Sequence, residues 1–182
     1  MVHGFALGDF ALAWVILLPK HIMLAWKCVI LMEYLPVAKK QFFCIVDSET
    51  TITDKVADFG AVICDRHGNI ATKCGIMVRG VFGVDKLFYD KNATGIWSQA
   101  SVTRRTDNYN RMLENGQRIM ASVSAINIWL AKAIALYNPT LTAYNLPFDN
   151  SKCNNTGIDL TGFANSFDLW GAAVGNICKT KA

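Results

Sequence analysis

The sequence predicts a mixed α/β domain, and three observations carry that prediction. FFCIV at 42–46 is an apolar run of aromatic and β-branched residues with the length of a buried strand. ADFGAVICD (57–65) and IATKCGIMVRG (70–80) flank the turn tetrapeptide RHGN (66–69), so the three runs read as an antiparallel meander. Beyond residue 116, helical and extended patterns alternate, which sets helices against the faces of a sheet.

The elements follow in order. Residues 81–116 are rich in Gly, Asn, Asp and Arg, and within them SVTRRTDNYNRMLEN (101–115) reads as a helix with a basic face. QRIMASVSAINIWLAKAIALY (117–137) is expected to be one long helix. Its apolar positions Met120, Val123, Ile126, Leu130, Ile134 and Tyr137 recur at helical spacing, and Asn138-Pro139 ends it. TLTAY (140–144) is a strand. NLPFDNSKCNNTG (145–157) is a short helix, with Asn145 as N-cap, Pro147 in the first turn and Gly157 as the stop. NSFDLWGAAVGNIC (165–178) begins as a strand and continues as a helix.

At 182 residues the chain has room for one domain with a real core. Mean hydropathy is +0.24, and much of the apolar excess sits in residues 10–37, FALAWVILLPKHIMLAWKCVILMEYLPV. Pro19-Lys20-His21, Lys27 and Glu33 interrupt that segment before it reaches the about 20 apolar residues of a membrane span. The opening MVHGFALGDF lacks the basic start of a secretory signal. Residues 1–40 are thus an apolar N-terminal extension with three readings: a membrane-associated hairpin, a helical extension packed on the domain, or a segment foreign to the fold. The last two are preferred. Val37-Ala38-Lys39-Lys40 is the polar boundary, and the domain proper is 41–182.

Cys28, Cys44, Cys64, Cys74, Cys153 and Cys178 form no CxxC and have no histidine at ligand spacing. They read as free thiols of a reduced, cytoplasmic protein, not as a disulfide framework or zinc site. The net charge of +4 and pI near 8.7 are compatible with a polyanionic partner without requiring one.

Asp47 and Glu49 follow directly on the run 42–46. Unpaired buried charges are costly, so acids placed there need a partner, and a metal ion is one. Asp149 falls in the first turn of the helix after the strand at 140–144. If the two strands are neighbours, three carboxylates converge at one edge of the sheet, where open α/β sheets place ligands. Such an all-oxygen set suits Mg²⁺ or Mn²⁺, two ions in a phosphodiester hydrolase. The plainer alternatives are a solvated strand end or a helix-cap pair for Asp47 and Glu49, and a helix-dipole acid for Asp149. Arg104, Arg105, Arg111 and Arg118 either contact phosphates or form a solvated basic face. Trp97, Trp129 and Trp170 are core residues or base-stacking platforms.

FCIVDSETT resembles the first motif of the DnaQ-like (DEDD) 3′–5′ exonucleases, a strand running into Asp-x-Glu-Thr. TAYNLPFD resembles their second motif, VADFGAVICDRHGNI the meander between the two, and SFDLW the strand that follows. The resemblance covers residues 42–178 and is greatest to small stand-alone phage-type members. It implies an RNase H-like mixed sheet with flanking helices. It also implies a two-metal hydrolase that removes nucleotides from DNA 3′ ends, single-stranded DNA first and RNA as the alternative. Carried over by position, Asp47, Glu49 and Asp149 become the metal-binding catalytic carboxylates. Thr50 would stand by the terminal nucleotide, and Asn145 and Phe148 would support the second motif and the substrate cleft. Asp168 matches a strand residue that binds no metal. The family's third motif, His-x-x-x-x-Asp or Tyr-x-x-x-Asp, has no counterpart in this sequence. The chain is therefore expected to be an exonuclease domain incomplete at its C-terminus and impaired in turnover. The alternative is an inactive nucleic-acid-binding or vestigial module of the same fold. The expected location is the cytoplasm, the host's if the chain is phage-encoded.

Overall fold

The apolar runs on either side of RHGN fold as the two arms of a meander. In the computed structural model, which describes residues 41–177, β1 (Phe42–Thr50), β2 (Val56–Asp65) and β3 (Ile70–Val78) pair antiparallel in sequence order. The β2–β3 turn is held by Asp65, whose Oδ1 accepts from the backbone N–H groups of His67 (2.9 Å) and Asn69 (3.0 Å). Gly68 there takes a positive φ of 82°. A long connection with two 3₁₀ turns, Gly95–Trp97 and Gln99–Ser101, leads to α1 (Val102–Glu114).

The expected helix over 117–137 is shorter than its periodicity suggested. Ile119–Ala121 is instead a strand, β4, which pairs in parallel with Ile76–Val78 of β3. An open sheet edge offers backbone hydrogen bonds that helical spacing alone does not reveal. Ser122 then starts α2 (Val123–Tyr137), its side chain accepting from the N–H of Ala125 at 3.3 Å. Met120, assigned to the helix's apolar stripe, is exposed. Asn138 ends α2 in the left-handed conformation.

β5 (Thr140–Ala143) enters the sheet parallel to β1, and β6 (Ser166–Asp168) pairs parallel with β5. Between them lies α3 (Leu146–Thr156), closed by Gly157 at a φ of 86°. α4 (Leu169–Ile177) follows β6. The protein is thus α/β, with a mixed six-stranded sheet in the order β4-β3-β2-β1-β5-β6 and flanking helices.

Pleating divides β1. Cys44 and Val46 are buried, whereas Ile45 and Asp47 are exposed. The buried side joins Phe59, Ala61, Ile63 and Leu141 to Ile126, Leu130 and Ala133 of α2 and Cys153 of α3 in one core. Each fully buried large side chain there contributes about 1.5–3 kcal/mol. Burial pushes the Cys44 and Cys153 thiols up to about 12, which leaves them inert as nucleophiles. Among the described residues no helix is long and apolar enough to cross a membrane. The segment 10–37 and the readings placed on it lie outside the described residues.

Candidate active site

β1 and β5 are parallel neighbours, pairing Phe43 with Thr140 through Ile45 with Thr142. The condition for the acids to share one edge of the sheet is therefore met. Asp47 and Glu49 do not follow the strand, as their position after 42–46 suggested. They lie within β1, which continues to Thr50 because β2 pairs with it that far. A register shift between Glu49 and Thr50 marks a bulge beside the acids, a device that re-aims side chains near functional sites.

Asp149 belongs to the first turn of α3 and is buried, one turn ahead of buried Cys153. Its Oδ1 accepts a 2.6 Å hydrogen bond from Ser48 Oγ. Ser48 stands between Asp47 and Glu49 on β1, so this bond ties the first turn of α3 to the acid-bearing end of the strand.

Electrostatics also couples the group. Burial raises the Glu49 pKa above its ordinary value; the Asp47 field adds to this, Arg105 opposes it, and Asp58 and Asp149 add further. Burial likewise raises Asp149, with the Ser48 hydrogen bond opposing and Asp47 adding. Carboxyls raised by burial and by one another are typical of sites that await a cation or perform chemistry.

Sequence reasoning missed Asp58. It sits opposite Glu49 in the β1–β2 pairing and is buried. Its carboxylate accepts from Arg118 Nε at 2.9 and 3.2 Å. Burial raises its pKa, the Arg118 hydrogen bond opposes this, and Asp47 adds to it. Gly75 makes the pair fit, since a Cβ there would lie 2.9 Å from Arg118 Nη1. The signal was an acid inside the apolar run VADFGAV. Tyr109 of α1 completes the neighbourhood: burial raises its phenol pKa, with Glu49 and Asp58 adding, so it stays protonated.

An open cleft of about 430 Å³ is lined by Asp47, Glu49, Thr50, Phe88, Trp97 and Phe148. Thr50 is buried, and its carbonyl accepts from Phe88 N–H at 2.8 Å. Asn145 stands at the N-cap of α3, but its side chain makes no capping bond. That role falls to Asp168, whose Oδ1 accepts from Leu146 N–H (3.0 Å) and Oδ2 from Gly171 N–H (2.9 Å). Arg118 is paired with Asp58, Arg105 Nη2 donates to the Phe88 carbonyl, and Arg111 Nη2 donates to Asn108 Oδ1. Trp129 packs against the core, whereas Trp170 is exposed and lies against Tyr144.

No family model and no curated protein matches this chain.

The donor chemistry of Asp47, Glu49 and Asp149 fits a hard divalent cation, which needs oxygen ligands and would relieve their mutual repulsion. The side chains are not gathered around one point, however. Among the described residues no group of three His, Cys, Asp or Glu is arranged to hold a metal ion.

Proposed function

We propose that the domain has an RNase H-like fold of the DnaQ-like exonuclease type and hydrolyses terminal phosphodiesters at the 3′ end of single-stranded DNA. The observation that carries this reading is that Asp47 and Glu49 of β1 and Asp149 of α3, the helix that follows β1's parallel neighbour β5, meet through the Ser48–Asp149 hydrogen bond. The meander followed by parallel β5 and β6, with a helix in the crossover, agrees with it.

In this reading Asp47, Glu49 and Asp149 hold Mg²⁺ or Mn²⁺, with two ions expected. Bound there, such ions would supply an activated water and charge stabilisation at the leaving oxygen. Thr50 and Phe148 line the cleft that receives the terminal nucleotide, and Ser48 orients Asp149 through its hydrogen bond. The described residues contain one histidine, His67, in the β2–β3 turn. Among the described residues no imidazole stands beside the acids as a general base, and a general base is worth about 10²–10⁴-fold in rate. Nucleic-acid binding without turnover is the second reading, and the ungathered carboxylates favour it.

The test is a 5′-labelled single-stranded oligonucleotide incubated with the protein and Mg²⁺. Slow stepwise shortening from the 3′ end, abolished by Asp47→Ala, is the expected result. Binding without shortening selects the second reading, and neither binding nor shortening removes both.

A further inference from the structure

Gly60 of β2 stands between Asp47 of β1 and Gly75 of β3 in the sheet register. Directly paired residues share one face of a sheet, so two glycines in a row leave bare the face that carries Asp47. Glycine weakens a strand interior, and there it often marks close approach by another group. Gly75 has such a neighbour in the Arg118 guanidinium. Gly60 has none among the described residues. A Cβ there would meet nothing nearer than the Asp47 carbonyl oxygen at 3.5 Å, an ordinary contact, and its φ is not positive. Neither packing nor backbone conformation requires a glycine at 60.

The glycine floor opens into a groove of about 640 Å³, walled by Arg118 and Gln117, which meets the carboxylate cleft at Asp47. Beside the glycine row runs a second row, Ile45, Val62 and Lys73, paired in the same way and lining the same groove. Lys73 is exposed and has no hydrogen-bond or ion-pair partner among the described residues.

We propose that this groove carries the sugar–phosphate backbone of the bound strand on the 5′ side of its terminal nucleotide. Lys73 is its phosphate contact, and Gly60 is the point where the backbone comes closest to the sheet. This inference rests on the nucleic-acid reading of the carboxylate cleft and adds the path by which the strand reaches it. Two strand spacings, about 10 Å, separate Asp47 from β3. A dinucleotide offers only its scissile phosphate, beside Asp47, so Lys73 is reached only by longer strands. An ammonium on a flexible stem is a point charge without the planar fork that reads a base edge. The groove therefore holds the strand without reading its sequence.

The test uses single strands without a 5′ phosphate, from a dinucleotide to a decanucleotide, competing with a labelled strand in fluorescence anisotropy. Binding is measured in EDTA and again with Ca²⁺, between about 50 and 200 mM salt. Affinity is expected to rise from the dinucleotide to strands long enough to reach Lys73, and then to level off. Lys73→Gln makes the salt slope for the longer strands shallower by about 0.7, the value of one phosphate contact on a single strand. It leaves the dinucleotide unaffected, and Lys73→Arg keeps the slope. Gly60→Ala, whose methyl the fold accommodates, weakens the longer strands and not the dinucleotide. Lys132→Gln, which removes an exposed lysine of α2, changes neither. Longer strands bound equally by the unaltered protein, Lys73→Gln and Gly60→Ala overturn the proposed path and leave the nucleic-acid reading standing. An equal loss in Lys132→Gln does the same. Failure of the unaltered protein to bind any strand in either condition overturns both.

Discussion

Ser48 Oγ donates a 2.6 Å hydrogen bond to Asp149 Oδ1 across 101 positions of sequence. The bond joins the acid-bearing end of β1 to the first turn of α3. It gives a buried carboxylate a donor that opposes the effect of its burial.

Ser48→Ala removes that donor and leaves Asp149 without its side-chain partner. Stability is expected to fall by about 1–3 kcal/mol at neutral pH, the range for a buried charged group losing a hydrogen bond. The Asp149 pKa moves further up. Urea denaturation measures the first effect and a carboxyl-carbon NMR titration the second. A variant as stable as the parent, with Asp149 titrating unchanged, contradicts the assigned role.

Glu49 opposes folding at neutral pH. Its folded-state pKa is raised by burial and by Asp47, so the folded protein holds that proton more tightly than the unfolded chain. The contribution favours folding below the ordinary carboxylate range, near pH 4, and is lost as pH rises through the raised value. Glu49→Gln is therefore expected to be more stable than the parent near pH 7, by about 0.5–2 kcal/mol. The gain shrinks as pH falls through the raised pKa. Unfolding midpoints across a pH series decide this, and a variant less stable at neutral pH would count against it.

Arg118→Met leaves Asp58 buried without its guanidinium. Breaking a fully buried pair costs about 3–5 kcal/mol. Arg118 keeps 29% of its side chain exposed, so a loss at or below the lower end is expected. The deficit diminishes in acid, because a protonated Asp58 needs no cation. Urea unfolding at neutral and acidic pH tests both parts, and a loss independent of pH would show that Arg118 acts through packing instead.

Much of the scaffold was legible because it rests on local signals. The meander follows from apolar runs on either side of the turn Arg66–Asn69, the end of α2 from Asn138-Pro139, and the stop of α3 from Gly157. β4 was not legible, since Ile119–Ala121 fits a helical stripe until the edge of β3 is known to be open. The carboxylates at 47, 49 and 149 could be singled out as acids next to strands. Asp58 needed the β1–β2 register, which sets it opposite Glu49. Ser48 gave no signal, because a serine between two acids says nothing of a helix lying far along the chain. The capping of α3 by Asp168 is likewise a tertiary contact that the local pattern at Asn145 concealed.

The central claim is that Asp47, Glu49 and Asp149 together hold a divalent cation. Mn²⁺ binding followed by electron paramagnetic resonance tests it without relying on turnover. Saturable binding that is lost in Asp47→Ala, and weakened at least about tenfold in Asp149→Asn (about 1.4 kcal/mol), is the result predicted. No saturable binding by the unaltered protein, or binding indifferent to both substitutions, would contradict the claim.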